Sequence, residues 1–287
     1  MRQAIRPASF PARAAARLIG RSLVLLGAWL ATAIADPAAA EVLRTGGTGS
    51  MELAMQRLST AFHADRPDSK LEFIPSLGSA GAIAAVVDGQ LDFAVTGRPP
   101  TVKEATHSLT AVLIARTPFG LVSSQPSPGD VRSDAIAALF ANPHSKWPDG
   151  TPVRVVLRPP SENDAALMDR MFPKLGEAIE HLRLRNEIPL AATDQDNVAI
   201  AGRIAGSLAA ATLTQMLMEK PSLQFLSIDG VAPTLENFER GSYPYGKDIY
   251  LVFATGEHPT LDRFLAFVRS AEGERLLHET GNLAARP

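Results

Sequence analysis

Three short turns rich in glycine and hydroxyl side chains each precede a helix-like stretch of the chain. They read "GGTGS" (46–50), "GSAG" (78–81) and "RPPSEND" (158–164). The first N–H groups of a helix have no backbone partner, and the helix dipole makes that end positive. Combined with hydroxyl groups and an arginine, such turns can bind an anion. A serine or threonine at such a turn can equally be an ordinary helix N-cap.

The elements around the first two turns alternate between strand and helix. Strand-like residues 41–46, 70–76 and 91–97 enclose helix-like residues 51–67 and 82–90. This alternation within about 55 residues predicts a parallel α/β sheet. Turns that follow parallel strands lie at one edge of the sheet, where α/β proteins bind ligands, so the glycine-rich turns are expected to converge.

The rest of the chain indicates a second α/β lobe inserted into the first. A long extended run (110–124) is suited to passing from one lobe to the other. We predict lobe 1 from residues 41–118 and 222–287, and lobe 2 from residues 119–221. Further strands and helices are expected at 132–141, 151–161, 164–188 with a break at Pro173, 223–230, 247–254 and 260–281.

The first 35 residues have the features of an export signal. Five arginines and no acidic residue precede the apolar run "SLVLLGAWLATAIA" (22–35), and small residues before positions 36 and 41 offer cleavage sites. We predict a signal peptide over residues 1–35, cleaved after residue 35 or 40, and hence a periplasmic protein. A retained membrane anchor is the alternative.

Composition excludes several function classes. Without residues 1–35, 23 basic residues face 30 acidic ones, a net charge of −7 that disfavours nucleic-acid binding. The chain has no cysteine, which rules out disulfides and thiolate chemistry. The six histidines lack metal-ligand spacing, and "NEIPLAATDQDN" (186–197) lacks the calcium-loop pattern and predicts a loop and helix cap. We therefore expect neither a metal nor a cofactor.

The order of four segments resembles the phosphate-binding protein family of bacterial ABC transporters. They are "GGTGS", "PSLGSAGAI…GQLDFAVTGRP", "AIAALFANPHSKWPDGTPVRVVLRPPSEND" and "IDGVAPTLENFERGSYPYGKDIYLVF". The resemblance covers nearly all of residues 42–285. It implies a two-lobe type II periplasmic-binding-protein fold, an α/β architecture with the ligand cleft between the lobes.

The resemblance also implies a set of ligand-binding residues. The first anion loop matches at Thr48, Gly49 and Ser50, and the second at Ser79, Ala80 and Gly81. Arg158 matches the arginine that pairs with the oxyanion, and Ser161 matches the serine just after it.

Two positions depart from the family pattern. Gly97 stands where some members carry an aspartate that accepts a proton from bound hydrogen phosphate, and Arg98 follows it. Arg98 is a ligand candidate, with an ion pair to Glu104 as the alternative. Glu162 adds a carboxylate to the loop after Arg158, where it must point outward or pair with an arginine. These departures leave the identity of the anion open.

The function expected on these grounds is that of a periplasmic substrate-binding protein. It would capture phosphate or a related oxyanion as a monomer and pass it to the membrane permease of an ABC importer. The alternative is a protein of the same fold that senses a ligand for a membrane partner. An enzyme is disfavoured because no motif joins a nucleophile to a base.

Overall fold

The computed structural model describes residues 41–286. The predicted signal peptide lies outside these residues. The strands are β1 (Glu41–Gly47), β2 (Ser69–Ile74), β3 (Phe93–Thr96), β4 (Leu109–Ser123), β5 (Asp130–Val131), β6 (Arg154–Val155), β7 (Ser207–Thr212), β8 (Gln224–Phe225), β9 (Ser227–Ile228), β10 (Gly246–Ala254) and β11 (Leu283–Ala284).

The α-helices and two 3-10 turns (Gly49–Met51 and Ser133–Ala135) connect these strands. The helices are α1 (Glu52–Asp65), α2 (Gly78–Val87), α3 (Val102–Ala105), α4 (Ile136–Ala141), α5 (Asn163–Met171), α6 (Leu175–Arg183), α7 (Asp194–Arg203), α8 (Leu213–Glu219), α9 (Leu235–Glu239), α10 (Pro259–Val268) and α11 (Ala271–Glu279). Within residues 41–286, no helix has the length and apolar character needed to cross a bilayer.

The first lobe is built on β1, which pairs in parallel with β2 on one side and β3 on the other. Strand β10 adds to β3 in the antiparallel direction. Apolar residues of α1, α10 and α11 cover the sheet and form one core with it, including Phe62, Phe93 and Phe264. Because β1, β2 and β3 are parallel, the loops after them lie at the same edge of the sheet.

The second lobe has its own apolar core. Strand β6 pairs in parallel with β7, and α4, α5 and α6 pack around Phe140, Phe172 and Leu208. Phe238 and Tyr243 also belong to this core. Their packing shows that part of the segment after residue 222 lies against the second lobe. The lobe boundaries themselves stay a prediction.

Strand β4 connects the two lobes. Nine of its first ten residues pair with β10, with a register shift at Ile114, and its last residues pair with β7 and β8. A single 15-residue strand therefore belongs to both sheets. The extended run expected at 110–124 is confirmed as this strand.

Candidate functional site

The first anion loop begins where β1 ends. The N–H of Thr48 donates to the Val95 carbonyl at 2.8 Å, which anchors the loop to β3. The 3-10 turn Gly49–Met51 follows at once, and Thr48 Oγ1 lies 3.1 Å from Ser50 Oγ. Both hydroxyl residues are buried. The loop thus presents its two hydroxyls and the Ser50 N–H to the cleft.

The second loop lies beside it at the start of α2. Ser79 is buried, and its Oγ accepts a hydrogen bond from the Gly97 N–H at 3.1 Å. Gly78 has φ +64°, a left-handed conformation that favours glycine. A Cβ at Gly78 would lie 2.7 Å from Glu162 Oε1, so the second lobe approaches this turn closely.

Arg158 enters the cleft from the second lobe, three residues beyond β6. It is 6% exposed, and its Nη1 donates to the Ala191 carbonyl at 2.8 Å. Nη2 lies 3.1 Å from Glu162 Oε2 and 3.6 Å from Asp194 Oδ1. Nε lies 3.9 Å from Asp164 Oδ2 and donates no hydrogen bond to the described residues. The arginine is therefore surrounded by three carboxylates.

The carboxylate of Asp194, from the second lobe, binds to the first anion loop. Its Oδ2 accepts a hydrogen bond from the Ser50 N–H at 3.0 Å and one from Thr48 Oγ1 at 3.2 Å. Its Oδ1 faces Arg158. Asp194 is the first residue of α7, and the capping box of Thr193 fixes the start of that helix. One side-chain carboxylate of the second lobe thus contacts both the first anion loop and Arg158.

Other hydrogen bonds hold the lobes together beside Asp194. Gln195 Nε2 donates to the Gly49 carbonyl at 2.9 Å, and Asn163 Nδ2 donates to the Gly97 carbonyl at 3.0 Å. These groups leave about 20 Å³ of open space in the cleft, lined in part by Arg158. That space accommodates about one water molecule.

A buried lysine completes the charge cluster. Lys247 lies in β10, and its Nζ lies 2.8 Å from Asp164 Oδ1, with both side chains more than nine-tenths buried. Its Cε would lie 2.4 Å from a Cβ at Gly97. The lysine side chain therefore fills the space that a side chain at position 97 would need.

The pKa values follow from burial and from these pairs. Burial alone would raise the pKa of Asp194, but Lys247 and Arg158 outweigh it and the pKa is lowered. Burial would lower the pKa of Lys247, but Asp164 and Asp194 outweigh it and the pKa is raised. The pKa of Glu162 is raised, because burial and the neighbouring Asp194 and Asp164 outweigh Arg158. With every group ionised, two cations face three carboxylates.

The structure brings most of the expected ligand residues to the cleft. Thr48, Ser50, Ser79 and Arg158 are buried there, together with Gly49. Their roles in ligand binding stay predictions.

Three expected residues lie at the margin of this group. Ala80 and Ser161 are exposed, and Gly81 is half-buried. Their contact with a ligand also stays a prediction.

Arg98 forms an ion pair with Glu104. Its two terminal nitrogens lie 2.7 and 2.9 Å from the carboxylate oxygens. This pairing lowers the pKa of Glu104 to about 2. The guanidinium therefore binds Glu104, and this ion pair is the alternative that the sequence offered to a ligand contact of Arg98.

Sequence reasoning did not find Asp164, Asp194 and Lys247. Lys247 stands in the otherwise apolar stretch "YPYGKDIYLVF", and a charged residue at a buried strand position signals a partner. Asp194 stands within "TDQDN", which predicts only a helix cap. Its position in the cleft depends on how the two lobes approach each other.

The fold and the cleft define a two-lobe ligand-binding protein of the type II periplasmic-binding-protein architecture. The sequence pattern of the PBP superfamily domain matches residues 32–272, and the chain belongs to this superfamily. No curated protein matches the chain by sequence.

Solved structures share the fold at low sequence identity. A protein from Clostridium perfringens with bound phosphate, described as a phosphate ABC transporter substrate-binding protein, is 17% identical with a TM-score of 0.75, over 86% of this chain and 100% of that one. An ABC-type phosphate transport receptor from Vibrio cholerae is 16% identical with a TM-score of 0.61, over 85% and 100% of the chains. The effector-binding domain of QuiR with shikimate is 11% identical with a TM-score of 0.54, over 80% and 95%.

Proposed function

We propose that the protein is an exported substrate-binding protein that captures phosphate or a related oxyanion between its lobes. The observation that carries the proposal is the convergence of Thr48 Oγ1, the Ser50 N–H and Arg158 on the oxygens of one carboxylate. A carboxylate is itself an oxyanion. Hydroxyl, N–H and guanidinium groups that bind one oxyanion are suited to bind another.

The destination of the ligand is proposed from similarity. The Clostridium perfringens and Vibrio cholerae proteins named above are described as belonging to phosphate ABC transport. The export signal predicted for residues 1–35 agrees with a periplasmic receptor that serves a membrane permease. Binding and hinge closure need no catalytic group, so we propose a monomeric, non-enzymatic carrier.

The proposal is tested by measuring anion binding to residues 41–287. The protein is stripped of bound anions by partial unfolding and refolding. It is then titrated with phosphate, sulfate, arsenate and molybdate at constant ionic strength. Phosphate or one of its relatives should raise Tm, because a ligand that binds only the folded state stabilises it by RT ln(1 + [L]/Kd).

A matched pair of variants identifies the site. Arg158→Lys keeps the charge but loses the bidentate fork, and we expect the anion affinity to fall at least tenfold. Arg170→Lys makes the same change at an exposed position on α5 and should leave the affinity unchanged. If millimolar concentrations of these anions leave the Tm of the parent protein unchanged, the protein does not capture them.

Sensing is a second candidate function, and the contacts between the lobes favour it. Asp194, Gln195 and Asn163 connect the lobes through the chain's own groups. Such a cleft is suited to report a ligand to a membrane partner by changing its degree of closure. Deletion of the gene distinguishes the two roles. Lost oxyanion uptake supports transport, whereas intact uptake with altered oxyanion-dependent gene expression supports sensing.

A further inference from the structure

We infer that Asp194 is an internal ligand, which holds the cleft closed and competes with external oxyanions for the same binding groups. This inference rests on the proposed function and concerns how that site is regulated. It starts from the way one carboxylate spans the cleft. Oδ2 binds Thr48 and Ser50 of the first lobe, while Oδ1 faces Arg158 of the second.

The contacts of Asp194 are those expected of a bound anion. The residue is 6% exposed, so the carboxylate has exchanged water for hydrogen-bond donors and a guanidinium. Its lowered pKa keeps it ionised at neutral pH. About 20 Å³ of space remains beside it. An oxyanion larger than water cannot enter this space while Asp194 stays in place.

Charge gives a second reason why Asp194 and an external anion exclude each other. With Asp194 in the cleft, Arg158 and Lys247 face three carboxylates, including Glu162 and Asp164. An incoming anion would add further negative charge to a desolvated site. Once Asp194 leaves, two cations face two carboxylates, and the Ser50 N–H is free to donate to the ligand.

The position of Asp194 allows this exchange. It is the first residue of α7, and the neighbouring Gln195 side chain binds the Gly49 carbonyl. Opening of the lobes would therefore withdraw Asp194 and Gln195 from the first lobe together. The competition is intramolecular, so the apparent affinity equals the intrinsic affinity multiplied by the fraction of molecules in which Asp194 is withdrawn.

The test compares the parent protein with Asp194→Ala, Asp194→Asn and the control Asp196→Asn. Asp196 is an exposed residue in the same first turn of α7 and carries the same charge. Its carboxylate accepts the Thr193 N–H in the capping box, and the amide oxygen of Asp196→Asn can accept the same bond. Phosphate and sulfate affinities are measured by calorimetry at constant ionic strength. Circular dichroism melts verify that each variant folds, and Asp194→Asn keeps the shape of the side chain if Asp194→Ala is too unstable.

A distance measurement reports the separation of the two lobes independently of ligand binding. The chain has no cysteine, so Lys103→Cys on α3 and Ala166→Cys on α5 can carry a spin label on each lobe. In phosphate-free buffer, Asp194→Ala should lengthen or broaden this distance relative to the parent protein. Saturating phosphate should restore a short distance.

We expect Asp194→Ala to bind phosphate at least tenfold more tightly than the parent protein. A tenfold change in affinity corresponds to about 1.4 kcal/mol of binding free energy. Asp194→Asn should gain less, because its amide oxygen still accepts from the Ser50 N–H, and Asp196→Asn should match the parent. An unchanged distance with unchanged or weaker binding in Asp194→Ala overturns the inference while leaving anion capture intact. If Asp194→Ala opens the lobes but no protein binds any oxyanion, Asp194 holds the lobes together and the proposed capture function fails.

Discussion

Replacing Lys247 with methionine should destabilise the protein strongly, because it breaks a buried ion pair. The ammonium lies 2.8 Å from Asp164, and both side chains are more than nine-tenths buried. At an effective dielectric constant of about 20, that separation corresponds to an attraction of about 6 kcal/mol. Desolvation of the two ions offsets much of this, so the intact pair contributes little net stability.

Lys247→Met alone loses the attraction between the ammonium and Asp164 but leaves the Asp164 carboxylate desolvated. Breaking a buried pair costs about 3–5 kcal/mol. Arg158 Nε remains 3.9 Å from Asp164 Oδ2 and still partly neutralises that carboxylate. We therefore expect Lys247→Met to lower the free energy of unfolding by about 3 kcal/mol. Urea unfolding in phosphate-free buffer measures the loss, and an unchanged m-value confirms that the unfolding reaction is the same.

A double variant and an exposed pair provide the controls. Lys247→Met with Asp164→Leu removes both charges, and its free energy of unfolding should lie within about 1 kcal/mol of the parent. Arg116→Met removes the partner of Asp248 from an exposed pair on the neighbouring strand and should cost about 1 kcal/mol or less. The reasoning is refuted if Lys247→Met alone costs under about 1 kcal/mol, or if the double variant is less stable than the single one.

Two further predictions concern pH and backbone geometry. The raised pKa of Glu162 means that its contribution to stability is present below about pH 4.5 and is lost as pH rises through the folded-state pKa. Glu162→Gln should therefore raise the free energy of unfolding at pH 8 by about 0.5–1 kcal/mol. This gain in stability should vanish near pH 4, and an equal gain at both pH values would contradict the prediction. At Gly47, a Cβ would lie 1.8 Å from the Val95 carbonyl oxygen that anchors the first anion loop. Gly47→Ala should cost about 2–3 kcal/mol in thermal unfolding, and a cost below about 0.5 kcal/mol would show that the loop anchor is unimportant.

The sequence predicted local elements well where hydrophobic patterning and helix breakers were strong. Pro173 separates α5 from α6, as its lack of an N–H requires. The strand expected over 151–161 is reduced to Arg154–Val155. Pro152 lies just before it and has no N–H to donate, and after it the Leu157 N–H donates to the Pro189 carbonyl instead of to β7. The run 223–230 is divided into two short strands that pair with different partners.

The site was predictable only in part, since its charges come from both lobes. Hydroxyls and glycine at strand ends indicated an anion site, and Arg158 followed from the family pattern. Asp194 is 144 residues from Ser50, and nothing in local periodicity predicts that its carboxylate reaches that N–H. Such a contact depends on the angle between lobes, which is set by many long-range packing interactions.

Lys247 occupies the space beside Gly97, and the acidic groups Asp164 and Asp194 reach this cleft from the second lobe. In the family that the sequence resembles, some members carry an aspartate at this position. Here a Cβ at Gly97 would lie 2.4 Å from Lys247 Cε, so a side chain at position 97 and the observed lysine position exclude each other. The lysine instead pairs with Asp164, and Asp194 approaches from α7. A ligand that donates a proton to a carboxylate would therefore have to find its acceptor on the second lobe, and hinge motion would change the charge that the ligand meets.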